Sequence, residues 1–174
     1  MKLPNPLKFL PDGPIIFLCR CGPVGTWGRA PGTSGSVLGL VLFTLCYFRL
    51  PFLSQLGLTL ILALVAVALC DEGERRLQKR DPGEIILDEV VAVPLCFLGI
   101  DALWTQTGYV WIYMIIGFIL FRLFDIVKPF GIKRLQNYPG GIGVVLDDLA
   151  AAVATNRTIR LFYLADTLGG WEKM

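Results

Sequence analysis

The chain has 174 residues, 55% of them hydrophobic, and its mean hydropathy is +0.64. An ordinary soluble domain is about 45–50% apolar, so these totals favour a single integral-membrane domain spanning residues 1–174. The formal net charge of +2 excludes the strongly basic surface of a nucleic-acid-binding protein. The absence of histidine excludes His-based acid–base catalysis, HExxH zinc sites and Ser-His-Asp triads.

The first distinctive segment, residues 22–35, contains too many glycines and prolines for the interior of a regular helix or strand. It also carries Arg29, Thr33 and Ser34, together with many backbone N–H groups. Two interpretations stay open for this segment. It is either a connecting loop or a phosphate-binding loop that leads into the N-terminus of the next helix.

Four apolar segments follow, and they predict an all-α polytopic membrane bundle of about four spans: residues 36–50, 52–70, 85–101 and 109–124. The segment 52–70 is the clearest, because its uncharged length is close to the roughly 20 residues that cross a bilayer. Asp101 to Gly108 is read as a polar turn between the last two spans. The small apolar residues of 141–155 predict an interfacial, re-entrant or tightly packed inner helix.

The distribution of cations predicts the orientation of these spans. Cationic side chains collect on one side of the predicted membrane, and Arg49 alone lies on the other: Lys2, Lys8, Arg20, Arg29, Arg75, Arg76, Lys79, Arg80, Arg122, Lys128, Lys133 and Arg134. The positive-inside rule therefore places the N-terminus, the 71–84 loop and everything after residue 124 in the cytoplasm. The acidic and glycine-rich motifs then converge on the same cytoplasmic face.

Two carboxylate pairs lie in apolar surroundings, Asp88-Glu89 and Asp147-Asp148, and Asp125 lies near the end of the last clear span. Carboxylates in such segments cost a few kcal/mol and are usually paired or functional. Ion pairing with nearby cations is the alternative, and for Asp81 alone in its charged loop we favour it. For the two doublets we favour a shared cation, because pairing would have to bury two like charges twice. Oxygen ligands and the absence of histidine indicate Mg²⁺.

The segment from residue 121 to 149 reads FRLFDIVKPFGIKRLQNYPGGIGVVLDDL. Its apolar run brings Arg122, Asp125 and Lys128 to one end, and Pro129 stops the run. Lys128 follows Asp125 by three residues, so it either forms an ordinary helical ion pair or neutralises phosphoryl oxygens. This pattern predicts a divalent metal beside the phosphate of a lipid.

Three stretches in a fixed order, GTWGRAPGTSGSVLGL, DPGEIILDEVVAVPL and FRLFDIVKPFGI…GGIGVVLDDLAA, cover residues 25 to about 155. Through them the chain resembles the phosphatidylglycerophosphatase A family. The resemblance implies a multi-pass enzyme of the bacterial cytoplasmic (inner) membrane. It implies Mg²⁺-dependent hydrolysis of the phosphomonoester of phosphatidylglycerophosphate, on the cytoplasmic face and among membrane lipids. The products would be phosphatidylglycerol and phosphate.

With the resemblance, the candidate site residues take the following expected roles. The expected metal ligands are Asp81, Asp88, Glu89, Asp147 and Asp148, and the expected catalytic residues are Asp88, Asp125, Lys128 and Asp148. The expected substrate-binding residues are Arg29, Thr33, Ser34, Arg122 and Lys128. The expected nucleophile is an activated water, with an aspartyl-phosphate on Asp125 as the less favoured variant. Alanines at Ala92, Ala151 and Ala152 replace glycines of the family pattern, which are small-for-small changes.

A different class of protein also uses buried acids, namely a small membrane transporter of cations or protons, or a scaffold. Transport predicts acids spread through the depth of the bilayer. A lipid phosphatase predicts acids gathered at one face, which is the arrangement that the sequence favours.

Overall fold

The structure, a computed structural model, describes residues 6–100, 110–129 and 131–169. Six α-helices are present in these ranges: α1 (Asp12–Cys19), α2 (Pro31–Leu42), α3 (Phe52–Leu77), α4 (Leu87–Ala92), α5 (Val110–Val127) and α6 (Gly141–Gly169). Short 3-10 helices join them at Pro6–Phe9, Val24–Thr26, Val93–Phe97 and Ile132–Asn137, and a π-helix at Phe43–Tyr47 extends α2. The described ranges contain no β-strand, so the all-α prediction is confirmed.

Helix α6 is the central element, and it packs against α3, α4, α5 and the 3-10 helix Val93–Phe97. Two glycines allow it to begin in close contact with α3. A Cβ on Gly141 would lie 2.1 Å from the carbonyl oxygen of Val67, and a Cβ on Gly140 would lie 2.0 Å from Asp71 Oδ1. Of the alternatives for residues 141–155, the structure shows the tightly packed inner helix, which continues to Gly169.

Helices α2 and α5 both lie on the segment formed by α4 and the following 3-10 helix. Close approach again depends on glycine. A Cβ on Gly39 of α2 would be 2.6 Å from Val93 Cβ, and one on Gly117 of α5 would be 2.4 Å from Phe97 Cε1. Phe97 also packs against Phe43, with ring centroids 5.1 Å apart. This contact forms the centre of the larger hydrophobic core.

Two helices of the described ranges are long and apolar enough to cross a membrane, α3 and α5. Their outward faces are apolar, with Leu64 of α3 72% exposed and Trp111 of α5 69% exposed. The predicted span 36–50 overlaps the apolar helix Pro31–Tyr47, which is shorter than the roughly 20 residues that a span needs. The four-span arrangement is therefore not established by helix length.

The predicted span 85–101 is wrong as a continuous helix, up to the last described residue, Ile100. The α-helical part ends at Ala92 and a 3-10 helix follows, because Pro94 has no N–H group to continue the hydrogen-bond ladder. The segment is buried among the other helices, with Val93, Cys96 and Phe97 at 0% exposure. Its apolar character thus reflects the protein core. The predicted turn Asp101–Gly108 lies outside the described residues.

The helices run so that the charged motifs meet at one end of the bundle. Helices α2 and α6 begin at this end, where Gly32 and Asp148 lie near the carboxylate of Glu89. Helix α5 ends there, with Arg122 close to the same carboxylate. We call this region the acidic end of the bundle.

Candidate active site at the acidic end

Three carboxylates from two distant parts of the chain form the centre of the site. Asp88 and Glu89 lie in the first turn of α4, and Asp148 lies in the second turn of α6. One ligand oxygen from each lies within 4.8 Å of the others. Asp88 and Asp148 are 5% and 4% exposed. We call these three residues the carboxylate triad.

Each member of the carboxylate triad keeps a buried oxygen without a hydrogen-bond partner. These oxygens are Asp88 Oδ1, Glu89 Oε2 and Asp148 Oδ2. A buried acceptor without a partner costs about 1–3 kcal/mol, and more when it is charged. Close carboxylate oxygens and buried acceptors without partners are a donor set of the kind that a small divalent cation such as Mg²⁺ prefers. The residues present therefore fit such a cation.

Burial and mutual repulsion favour the protonated forms of these acids when no cation is bound. Burial, followed by the charge of Asp148, raises the pKa of Glu89 to about 8. Burial, followed by the charge of Glu89, raises the pKa of Asp88 well above its ordinary value. The pKa of Asp148 is raised in the same way by burial and by Asp88. A bound cation would reverse this preference, because it favours the ionised carboxylates.

The glycine-rich start of α2 covers the triad. A Cβ on Gly32 would lie 2.4 Å from Glu89 Oε1, and a Cβ on Gly35 would lie 3.0 Å from Glu89 Oε2. The two positions are three residues apart and therefore share a helix face. Their lack of side chains explains how a helix can lie directly against a carboxylate.

Arg122 supplies a positive charge beside the triad. Its Nη1 atom donates to Asp125 Oδ2 at 2.7 Å and lies 3.7 Å from Glu89 Oε1. The same atom donates to the hydroxyl oxygen of Ser36 at 3.4 Å, and that hydroxyl donates to the carbonyl oxygen of Gly32 at 2.9 Å. The guanidinium is thus held between α2, α4 and α5.

Lys128 supplies a second positive charge where α5 ends. Its φ of +49° is left-handed, which terminates the helix and costs a non-glycine residue about 1–2 kcal/mol. Its Nζ atom forms an ion pair with Asp147 Oδ2 and lies 3.9 Å from Asp125 Oδ1. Burial opposes the charge on Lys128, but the carboxylates of Asp147, Asp148 and Asp125 together outweigh it and raise the pKa of Lys128. The ammonium is therefore charged at neutral pH.

Two acids predicted as metal ligands are not part of the carboxylate triad. Asp147 precedes Asp148 on α6 and therefore points about 100° away, towards Lys128. Asp81 is exposed in the loop after α3, where its φ is +46° and its backbone N–H donates to Glu74 Oε1. Burial is the main cause that raises the pKa values of Asp88 and Asp147, and the negative charge of Asp81 adds to it. Asp147 therefore has a partner of opposite charge at Oδ2, although its Oδ1 is buried without a hydrogen-bond partner, and Asp81 is exposed to solvent.

Gly32 and Gly35 of the predicted phosphate loop lie against the carboxylate of Glu89. Arg29 and Thr33 are exposed, and Ser34 is half-buried. The backbone N–H groups of Thr33 and Ser34 donate to the carbonyl oxygen of Ala30, so these two amides are satisfied within the chain. The substrate-binding roles of Arg29, Thr33 and Ser34 remain predictions.

Ser36 contacts the site but is not among the residues that the sequence predicts for it. This residue is 0% exposed and links Gly32 to Arg122 through its hydroxyl. One signal was available, because Ser36 follows Gly32 by four residues and a serine hydroxyl in a helix often bonds to the carbonyl four residues earlier. The link to α5 could not be read from that spacing.

The family model of phosphatidylglycerophosphatase A matches residues 17–163. A Bacteroides thetaiotaomicron protein provisionally named a phosphatidylinositol-3-phosphatase is 35% identical over 71% of this chain and 77% of its own length. No solved structure matches the chain.

Two relatives are named phosphatidylglycerophosphatase A. The Haemophilus influenzae protein is 32% identical over 88% of this chain and 86% of its own length. The Escherichia coli protein is 29% identical over 88% of this chain and 81% of its own length. The chain therefore belongs to the phosphatidylglycerophosphatase A family and is, by that membership, a phosphatase.

Proposed function

We propose that the protein hydrolyses the terminal phosphomonoester of phosphatidylglycerophosphate in a Mg²⁺-dependent reaction, giving phosphatidylglycerol and phosphate. One observation carries the proposal, namely two buried carboxylates and a partly buried third, each with an oxygen lacking a partner, beside two fixed cations. Asp88, Glu89 and Asp148 would hold the metal. When bound, Mg²⁺ supplies Lewis-acid neutralisation of the phosphate charge.

The cations of the site bind and orient the phosphate. Arg122 and Lys128 present donors to the phosphoryl oxygens, where charge accumulates during transfer. Asp125 bonds to Arg122 and lies 3.9 Å from the Lys128 ammonium, so it positions both cations. Attack by water is the favoured course. An aspartyl-phosphate on Asp125 is less favoured, because Oδ2 of that carboxylate is engaged by Arg122.

The membrane placement has separate support. Helices α3 and α5 are long and apolar enough to cross a bilayer, and both expose large apolar side chains. The charged loop after α3 lies at the same end as the triad, which together with the positive-inside rule supports a cytoplasmic site in the inner membrane. The acyl chains would remain in the apolar layer while the headgroup reaches the acidic end.

A second substrate of the same chemistry is a phosphatidylinositol phosphate. The Bacteroides thetaiotaomicron relative carries that activity in its name. Both lipids present a phosphomonoester on a polar headgroup, so the same triad and cations could serve either. We favour phosphatidylglycerophosphate because the family model and two relatives bear that name.

The test is phosphate release by the purified protein from each lipid in mixed micelles, with and without Mg²⁺. Release from phosphatidylglycerophosphate that needs Mg²⁺, and that Asp148→Asn lowers by roughly 10²–10³-fold, is expected. Asp12→Asn is the matched control, because Asp12 is a carboxylate with a 77% exposed side chain. It should keep wild-type turnover. No release in any divalent cation by the folded protein would reject the proposal, and faster release from the inositol lipid would reassign the substrate.

A further inference from the structure

An apolar groove runs along the outside of the bundle between α2 and α5. It has a volume of about 440 Å³. Its lining includes Val37 and Val41 of α2, Leu45 of the π-helix, and Trp111, Ile115 and Phe118 of α5. The hydroxyl of Thr44, which also faces it, donates to the carbonyl oxygen of Leu40. The groove therefore presents mainly hydrocarbon to its occupant. The polar groups of its lining are the internally bonded Thr44 hydroxyl and the indole N–H of Trp111, which lies at the end remote from Arg122.

The groove follows from the way in which the two helices pack. Gly39 brings α2 against Val93, and Gly117 brings α5 against Phe97. With the glycine faces turned inward, the large side chains of both helices point outward and stand on either side of a furrow. Val41 and Ile115 are 46% and 59% exposed.

The groove is continuous with the acidic end. Val37 directly follows Ser36, whose hydroxyl oxygen accepts from Arg122 Nη1. Phe118 lies four residues before Arg122, which is about 6 Å along a helix. One end of the groove thus lies about one helical turn from a cation of the site. The other end, at Leu45 and Trp111, lies further along the same two helices.

The length and lining of the groove indicate what can occupy it. The eight steps from Val37 to Leu45 span about 12 Å at the rise of an α-helix. An apolar groove of that length, with one end about a helical turn from the Arg122 guanidinium, matches a molecule in which a hydrocarbon chain is joined to an anionic group. A phospholipid has both features.

We propose that this groove holds one acyl chain of the phospholipid whose phosphate is hydrolysed, and this inference rests on the proposed function. The acyl chain lies between α2 and α5 with its glycerol end towards Arg122. The lipid headgroup therefore enters the acidic end of the bundle from that side. The groove thereby aligns the phosphate with the carboxylate triad and gives long-chain substrates an advantage over deacylated ones.

The first test maps contacts on the wild-type protein. Phosphatidylglycerophosphate carrying a photoactivatable diazirine in one acyl chain is mixed with the protein and Mg²⁺ on ice and irradiated at once. Peptide mass spectrometry then locates the adducts. Adducts concentrated on the groove lining are expected, and phosphatidylcholine with the same chain should label that lining much less. Equal labelling by both lipids, or labelling spread evenly over Leu53 and Leu64 of α3, would overturn the inference.

The second test fills the groove. We consider the ratio of the KM for long-chain phosphatidylglycerophosphate to the KM for deacylated glycerophosphoglycerophosphate. Val41→Trp should raise this KM ratio about tenfold, because the indole would keep roughly two methylene groups of the acyl chain from being buried. Leu64→Trp is the matched control, because Leu64 is an apolar side chain of α3, 72% exposed and outside the groove. It should leave that ratio at the wild-type value.

The outcomes separate the two proposals. If wild-type protein hydrolyses the lipid and Val41→Trp has the same KM ratio as Leu64→Trp, the groove proposal fails and the proposed function stands. If wild-type protein hydrolyses neither substrate in any divalent cation, the proposed function fails and the groove proposal fails with it. Adducts that join two copies of the chain through the groove would also reject the acyl chain as occupant.

Discussion

Lys128 and Asp147 form an ion pair that joins the end of α5 to the second turn of α6. Asp147 is 3% exposed and Lys128 17% exposed, so water screens this pair weakly. The pair fixes the ammonium next to Asp125 and turns Asp147 away from the carboxylate triad. A residue that the sequence suggests as a metal ligand is therefore placed to position a cation.

This relationship predicts the effect of Asp147→Asn. Loss of the charged hydrogen bond should lower the free energy of unfolding by about 1–3 kcal/mol. It should also lower kcat more than Mg²⁺ affinity, because Lys128 loses its orientation while the triad keeps its ligands. Denaturant unfolding and Mg²⁺ titration of activity measure the two effects. A variant with normal kcat and strongly weakened Mg²⁺ affinity would instead make Asp147 a ligand.

Gly32→Ala should disable the site through contact alone. The added methyl would lie 2.4 Å from Glu89 Oε1 and about 3.2 Å from both terminal nitrogens of Arg122, so these side chains must move. We expect a loss of activity of roughly 10–100-fold, comparable to disturbing the groups that orient a ligand. Steady-state kinetics with Mg²⁺ titration measures the loss.

The control for that change is Gly57→Ala in α3. A Cβ at Gly57 meets no heavy atom within 4 Å. Alanine in a helix interior is favoured over glycine by about 0.5–1 kcal/mol, so this variant should be slightly more stable and fully active. Equal activity of the two alanine variants would show that the contact between α2 and Glu89 is unimportant.

The pKa of Glu89 predicts how stability and Mg²⁺ binding vary with pH. Its folded value of about 8 lies above the ordinary value of 4.5. Between these values the unfolded chain releases a proton that the folded chain retains, so metal-free protein loses stability as pH rises from about 4.5 to 8. Mg²⁺ competes with the same proton, so its apparent affinity should rise over that range.

Thermal unfolding at pH 6.5 and pH 8.5, with and without Mg²⁺, measures this linkage. The increase in Tm caused by Mg²⁺ should be larger at the higher pH. Several charges surround Glu89 and contribute to the curve: Asp88 on α4, Asp125 and Arg122 on α5, and Asp148 on α6. Glu89→Gln should flatten the pH dependence, and an unchanged pH profile in that variant would assign the titration to another group.

Arg160→Ala should destabilise the end of the bundle remote from the triad. The guanidinium donates from Nη2 to the carbonyl oxygens of Leu98 and Gly99, at 2.9 and 3.1 Å. Charged hydrogen bonds of this kind contribute about 1.5–3 kcal/mol. Arg157→Ala is the matched control, since Arg157 is exposed on the same helix, and it should change stability by less than about 0.5 kcal/mol. Unfolding in detergent with increasing denaturant compares them, and equal losses would contradict the assignment.

The sequence predicted the helices and the meeting of the acids better than it predicted the path of the chain. The uncharged length of residues 52–70 predicts most of α3 directly. The prediction of a span at residues 85–101 was wrong, because a buried broken helix and a spanning helix have the same apolar composition. Pro94 marks the break in the helix, and the packing of Val93 and Phe97 under α2 and α5 shows that the segment is buried.

The sequence predicted which acidic residues belong to the site, but not which of them come together and which one pairs with a cation. Acid doublets in apolar surroundings indicated the region, and Asp88, Glu89 and Asp148 do come together. Adjacent residues on a helix point about 100° apart, so one member of a doublet can bind a metal while the other meets a cation. Which member of Asp147-Asp148 does so depends on the position of Lys128, and that follows from the end of α5.

Helices α4 and α6 meet at three carboxylates that repel one another when ionised, and this arrangement affects how long the protein survives in the cell. Under the proposed function, metal-free protein relieves this repulsion by keeping protons on the acids, and a bound ion would replace those protons and add to the stability of the packed helices. Because a ligand that binds only the native state stabilises it by mass action, the cellular supply of magnesium also governs turnover of the chain. Cells starved of magnesium should clear the enzyme by proteolysis faster than replete cells.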